Sequence, residues 1–112
     1  MDAFSAAVMI RALDSLAERS VATAANIANA GSPNYRPVRV SFESALAEAA
    51  SRGPAAIREF RPSVEADPTA GDGVRIDLEL ATAAATAGRY AALIDLLGRQ
   101  LQIEALAVTG GR

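Results

Sequence analysis

The stretch "NIANAGSPNYRP", residues 26–37, separates the first helical pattern of the chain from everything that follows it. Gly31 suits the left-handed position just past a helix end, and Pro33 cannot continue a helix. The segment Ser32–Tyr35 matches a type II turn, because proline presets its second position and Asn34 tolerates the positive φ of its third. The sequence therefore predicts a tight corner at this point.

Residues 4–30, before the corner, have a helical period with one apolar face. That face comprises Ala6, Met9, Leu13, Leu16, Ser20, Thr23, Ile27 and Ala30. Spacings that alternate between three and four are typical of a coiled-coil seam. Arg11, Asp14, Glu18 and Arg19 lie off this seam. We predict a long N-terminal helix whose seam becomes more polar in its second half.

Residues 31–52 predict the turn, a short extended segment and a short helix. The extended segment has alternating apolar residues at Val38, Val40 and Phe42. The helix follows, with Ser41 as its predicted cap and Gly53 after its end. Residues 53–75 contain three prolines and three glycines without a sustained period. Such a stretch predicts a flexible loop.

Residues 76–109 carry the second long helical pattern, with Asp77 as the predicted N-cap. Its seam comprises Ile76, Leu80, Ala83, Ala87, Tyr90, Ile94, Leu97 and Leu101. The predicted fold is therefore one domain over residues 1–112, mainly α, in which two long terminal helices form a coiled-coil-like pair. Pairing within one chain and pairing between chains both fit the two seams.

The composition predicts a thin core. Half of the 112 residues are hydrophobic, but only 4% are aromatic and many of the others are alanines, which bury little area. This favours a protein whose burial is completed by assembly with partners. The net charge of −2 argues against a nucleic-acid footprint. Asp2 and Arg11 are inconsistent with a secretory signal, and no apolar run is long enough to insert in a membrane.

No catalytic, cofactor-binding or metal-binding constellation is present in the sequence. The chain has no histidine and no cysteine, which excludes disulfides and thiolate metal sites. Asp77 and Glu79 are two residues apart, so they do not face each other on a helix. We therefore expect a protein that is not an enzyme.

Polar residues at the corner have two interpretations each. Asn26 and Asn29 share a helix face, and their amides either tie the helix end to the turn or a neighbouring subunit, or cap the helix locally. Tyr35 is either a buried anchor of the turn or a contact for a partner. Arg36 and Arg39 suit phosphate, although nearby glutamates favour a solvated or ion-paired face.

Residues 25–36 resemble the N-terminal signature of bacterial flagellar rod, hook and related axial proteins. In that signature an Asn-Ile-Ala-Asn run ends a helix and a Thr/Ser-Pro-Gly-Tyr turn follows. Residues 40–46, 78–81 and 89–93 extend the similarity, which is greatest to the small proximal rod proteins. Asn34 replaces the usual glycine of the turn and is able to hold the same backbone shape.

The resemblance implies a structural subunit of the proximal rod, the drive shaft of the flagellum in the periplasm. Such a subunit is exported by the flagellar type III apparatus without a cleaved signal peptide. It polymerises through its terminal helices. The implied partners are FlgC-like rod subunits, a FliE-like protein at the junction of MS ring and rod, and the flagellar export gate. A soluble helical export chaperone or adaptor is the alternative.

Two sets of residues would carry assembly under this interpretation. The turn motif comprises Asn26, Ile27, Asn29, Pro33, Asn34, Tyr35 and Phe42. The helix seams comprise Met9, Leu13, Leu16, Leu80, Tyr90, Ile94, Leu97 and Leu101. The hypothesis is that four of the turn residues form a rigid corner on which subunit stacking depends: Asn26, Asn29, Pro33 and Tyr35.

Overall fold

A long helix stands at each end of the chain, with a small sheet and two short helices between them. The computed structural model describes residues 1–71 and 73–110. Its elements are α1 (Ala3–Ala28), β1 (Val38–Ser41), α2 (Glu43–Arg52), α3 (Pro54–Glu59), β2 (Ser63–Ala66) and α4 (Ile76–Gly110). The predicted mainly helical fold with two long terminal helices is confirmed.

The helices α1 and α4 lie side by side and antiparallel. The α-amino group of Met1 donates to Gln100 Oε1 at 3.2 Å, while Asn26, near the other end of α1, contacts Glu79. At ~1.5 Å per residue, the 26 residues of α1 span about 39 Å and the 35 residues of α4 about 52 Å. The longer α4 therefore extends beyond the start of α1.

The molecule is elongated, with extents of 64 × 27 × 15 Å. Its radius of gyration is 17.4 Å, against about 13 Å for a compact chain of this length. The helix pair produces this shape, because α4 alone is about 52 Å long at ~1.5 Å per residue.

The hydrophobic core lies where α1 meets the short elements, and not along the whole helix pair. Its buried members are Leu16, Phe42, Leu46, Ala49, Ile57 and Phe60. Leu46 and Ala49 are three residues apart and so share the inward face of α2. Leu16 links this core to the helix pair, since it belongs to the apolar seam of α1.

Regular structure in residues 54–66 corrects the prediction of a flexible loop over 53–75. Gly53 has φ +109°, a conformation that favours glycine, and it lets α3 begin directly after α2. Ile57 and Phe60 anchor α3 because both are buried in the core. β2 then pairs antiparallel with β1, with Val64 opposite Val40. Residue 72 of the predicted loop lies outside the described residues.

Three predicted helix boundaries also need correction. α1 ends at Ala28 with Asn29 as its C-cap, so the helix stops before Gly31 and does not require a left-handed residue there. Phe42 occupies the N-cap position of α2 in place of Ser41, and the Glu43 carboxylate accepts the Phe42 N–H. α4 begins at Ile76, one residue before the predicted cap Asp77.

The two predicted apolar seams differ in how far they are buried. On α1, Leu13 and Leu16 are buried and Met9 and Ile27 are half-buried, so this seam faces inward. On α4, Ala83 and Leu97 are half-buried, but the other six seam residues are exposed: Ile76, Leu80, Ala87, Tyr90, Ile94 and Leu101. The least exposed side of α4 has only Thr86 fully buried, and its half-buried members are Glu79, Thr82, Ala83, Leu93, Leu97 and Gln100. α4 thus turns a more polar face inward than its apolar period predicts.

Candidate functional site

Asn26 is the centre of the corner between α1 and β1. Only 1% of its surface is exposed. Its amide nitrogen donates to the Val38 carbonyl at 2.9 Å and to Glu79 Oε2 at 3.1 Å. Its amide oxygen accepts the Val38 N–H at 3.0 Å and the Tyr35 hydroxyl at 2.8 Å. These four bonds use the full capacity of the amide, and they join α1, the turn, β1 and α4 at one side chain.

Side chains of α1 bond to the edge of β1 that faces away from β2. Asn26 bonds both backbone groups of Val38, as a residue of a neighbouring strand would. Arg19 donates to the Val40 carbonyl from Nε at 3.1 Å and from a terminal nitrogen at 2.9 Å. The side chains of Asn26 and Arg19 therefore bond the backbone groups that a third strand would otherwise pair with, and these bonds fix the position of the small sheet on α1.

The turn itself is held by one backbone hydrogen bond and by the side chain of Tyr35. The Tyr35 N–H donates to the Ser32 carbonyl at 3.3 Å, and Asn34 has φ +64°, the conformation expected at the third turn position. Pro33 is exposed at the tip. Because the Tyr35 hydroxyl donates to buried Asn26, the tyrosine serves as the anchor of the turn.

The two asparagines of the motif have different roles. Asn29 donates from its side chain to the Ala25 carbonyl at 2.8 Å, and its own carbonyl accepts the Ser32 N–H. These are local bonds at the end of α1, as in helix capping. Asn26 instead bonds groups from three other parts of the chain. Ile27, between them, is half-buried.

The carboxylate of Glu43, the first residue of α2, accepts hydrogen bonds from Arg19 of α1 and from Arg89 of α4. The two terminal nitrogens of Arg19 each donate to Glu43 at 2.8 Å, and Arg89 of α4 reaches the same carboxylate at 3.1 Å. The guanidinium also lies 4.8 Å from the centre of the ring of Phe42, a cation–π contact over a buried side chain. The first turn of α2 is thereby tied to both long helices.

The hydrogen bonds from Arg19 lower the pKa of Glu43 from its usual 4.5 to about 2. Because the pKa is lower in the folded state, the carboxylate stabilises the fold above its unfolded pKa. That contribution is lost as the pH falls from about 4.5 towards 2. We predict that Glu43→Gln shows a smaller loss of stability over this range than the wild type, measured by urea unfolding at several pH values. Equal losses in the two proteins would contradict this role for Glu43.

Arg39 of β1 forms an ion pair near the corner. Arg39 donates to Asp67 at 2.9 Å, as the ion-paired interpretation expects. The backbone N–H of Thr69 is the main cause of the lowered pKa of Asp67, with Arg39 adding to it. A recess of about 340 Å³ lies beside this pair, between β1 and α4. Arg36 is exposed.

Sequence reasoning missed Arg19 and Glu79 as members of the site. The signal for Arg19 was present, since Arg11, Arg19 and Asn26 follow one another at spacings of eight and seven and so share a helix face. Arg11 uses this face to donate to the carbonyls of Ile57 and Arg58, at the end of α3. Glu79 carried no such signal, because its partner lies 53 positions away.

The hydrogen bonds of Asn26 join α1 to the turn, to β1 and to α4. Within residues 1–71 and 73–110, no three His, Cys, Asp or Glu side chains group as metal ligands would. No helix in the part of the chain described here has the length and apolar character to cross a membrane.

No protein-family model matches the chain, and no curated protein matches it significantly.

Proposed function

We propose that this chain is a structural subunit of the bacterial flagellar proximal rod, most like the proximal rod protein FlgB. The observation that supports this most strongly is the corner. Residues 25–36, which resemble the signature of flagellar axial proteins, include Asn26, Asn34 and Tyr35, and these three residues set the path from α1 to β1.

A drive shaft requires subunits that keep their internal angles under torque. Asn26 makes four hydrogen bonds in a buried position, and Arg19 ties α1 to β1 and to α2. Buried polar networks whose members are all satisfied favour one specific conformation. The corner is thus suited to keeping α1 at a fixed angle to the small sheet.

The proposal includes a location and a set of partners. The chain would be exported by the flagellar type III apparatus and would assemble in the periplasmic rod. Its neighbours would be FlgC-like rod subunits, a FliE-like protein at the base and the export gate. Exposed apolar residues along α4, among them Leu80, Ile94 and Leu101, provide surface for such contacts.

We predict that Tyr35→Ala and Pro33→Leu leave export intact but impair rod assembly. Tyr35→Ala removes a hydroxyl that bonds the buried Asn26 amide, and Pro33→Leu removes the preset φ of the turn. The measurement is swimming in soft agar together with the amount of the chain in purified basal bodies. Arg36→Ala is the matched control, because Arg36 is an exposed neighbour of the anchor.

Tyr35→Phe separates the hydroxyl from the ring in the same assay. It keeps the ring and loses only the bond to Asn26, so we expect a defect smaller than that of Tyr35→Ala. Normal swimming and normal rod content in both Tyr35→Ala and Pro33→Leu would refute the role of the corner in assembly.

A soluble helical export chaperone or adaptor is the second candidate. The observation that favours it is the closure of α1 on α4 within one chain, with Met1 bonded to Gln100 and Asn26 to Glu79. An adaptor would remain in the cytoplasm as a stable monomer or small oligomer. Cell fractionation separates the two candidates, because a rod subunit is recovered with the basal body.

A further inference from the structure

The outer edge of β2 is a strand edge without a neighbouring strand. The sheet has two strands, and within residues 1–71 and 73–110 no third strand lies beside β2. All four residues of β2, Ser63–Ala66, are exposed. The opposite edge of the sheet, on β1, is already bonded by Asn26 and Arg19 of α1. Because two-stranded sheets are only marginally stable, a further strand at the edge of β2 would stabilise this sheet.

The pairing of β1 with β2 decides which backbone groups of β2 face outward. Both backbone groups of Val38 bond to α1, so they point away from β2. The Asp67 N–H donates to the Pro37 carbonyl at 2.9 Å, which makes this pair a hydrogen-bonded one. Since bonded and non-bonded pairs alternate along an antiparallel ladder, Val64 and Ala66 direct their N–H and C=O groups to the free edge.

Prolines limit this free edge to two donors. Pro62 and Pro68 occupy the next outward positions on either side of Val64 and Ala66, and neither has an N–H. Prolines and short length restrict which strands can pair with an edge. A complementary strand must therefore accept the N–H groups of Val64 and Ala66, and it must not require a donor at the prolines.

We propose that the strand at this edge is β2 of a second copy, paired antiparallel about a two-fold axis at Val64. In this register the two Val64 residues exchange both of their N–H···O=C bonds, and each Ala66 N–H donates to the Pro62 carbonyl of the other copy. Both outward N–H groups are then bonded, and none is required from proline. A two-fold pair is closed and cannot extend a rod, so the inference goes beyond the proposed function and concerns the chain outside the rod.

The charges of β2 select this register among those that place outward residues opposite each other. An axis at Val64 places Arg61 opposite Asp67 of the second copy. An axis at residue 65 places the two Glu65 carboxylates directly opposite each other, and an axis at residue 66 places Glu65 opposite Asp67. Like charges directly opposite on neighbouring strands are destabilising. Asp67 also binds Arg39 of its own copy, so the strongest selection is against the pair of Glu65 carboxylates.

The apolar face of the sheet supports the same register. Val64 lies directly opposite Val40, on the face of the sheet where Val40 is buried. Val64 itself is 56% exposed. Pairing about Val64 would bring the two Val64 side chains side by side and extend a row of valines from Val40 of one copy to Val40 of the other. Such branched side chains pack well against their neighbours on a pleated surface.

The test uses disulfide formation between single-cysteine variants of the full chain, which has no cysteine of its own. With the axis at Val64, Ser63 of one copy and Glu65 of the other form a non-hydrogen-bonded pair with Cα atoms about 4.5 Å apart, within reach of a disulfide. Two copies of the same variant place their cysteines diagonally, about 7–8 Å apart, which is too far. We expect an oxidised equal mixture of Ser63→Cys and Glu65→Cys to give at least about fivefold more cross-linked dimer than either variant alone.

Val64→Pro tests whether the outward backbone groups hold the pair. The Val64 N–H points away from β1, so proline at this position removes an outward donor and no bond within the sheet. Introduced into both cysteine variants, it should reduce the cross-linked dimer to the level of either cysteine variant alone, with the fold retained by circular dichroism. Val64→Thr is the matched control, because it keeps the N–H and the branched side chain, and it should cross-link like the parent mixture.

The register is what the cross-linking can refute. If Glu65→Cys alone or Ser63→Cys alone cross-linked as well as the mixture, the axis would not lie at Val64 and the proposal would be overturned. Equal cross-linking in every sample, or none in any, would also overturn it, because chance collisions between copies do not depend on register. Each of these results would leave the proposed function standing, since recovery of the chain in basal bodies does not depend on this pair.

Discussion

Replacing Asn26 by alanine should lower the free energy of unfolding by about 3 kcal/mol or more. The substitution removes all four hydrogen bonds of a buried amide, and an unsatisfied buried group costs about 1–3 kcal/mol. Both backbone groups of Val38 and the Tyr35 hydroxyl lose their partner at once. The measurement is urea unfolding followed by the helical circular-dichroism signal.

Asn29→Ala is the matched control, since it makes the same substitution three positions along the same helix. It removes a bond to the Ala25 carbonyl and a longer, exposed bond from the Ser32 hydroxyl, both at the end of the helix, so we expect a loss of about 1 kcal/mol. Equal losses for the two asparagine variants would contradict the central position assigned to Asn26.

Leu16→Ala should produce the other large loss, about 2–5 kcal/mol, because Leu16 is only 1% exposed and truncation leaves a cavity. This residue belongs to the core formed with α2 and α3 and to the seam of α1. The same urea measurement applies. We expect the two terminal helices and the short elements to unfold together in this variant.

Leu101→Ala tests the same substitution at an exposed position of α4. Its effect on the stability of the isolated chain should lie within about 0.5 kcal/mol, as for other surface substitutions. A loss at Leu101 as large as that at Leu16 would show that this part of α4 is buried in solution.

The long helices and the turn could be predicted from sequence because their signals are local. Residues 4–30 predicted a helix that runs over Ala3–Ala28, and residues 76–109 one that runs over Ile76–Gly110. The proline of the turn and the asparagine after it are adjacent in sequence, so the backbone shape at Asn34 followed from residue chemistry alone.

The rotation of α4 and the presence of α3 depend on contacts between residues that are far apart in the sequence. The rotation of α4 is fixed by bonds such as Asn26 to Glu79, and an apolar period contains no information about such a bond. For the same reason the sequence did not predict α3. Ile57 and Phe60 anchor this helix only because they pack in one core with Leu16 and Phe42, which are distant in sequence.

The central claim of a rod subunit is tested most directly by purifying flagellar basal bodies from the organism that encodes this chain. We predict that the chain is recovered in the rod fraction by mass spectrometry and that a deletion strain builds no rod. A chain found only in the cytoplasm, with complete rods in the deletion strain, would contradict the proposal and favour the adaptor.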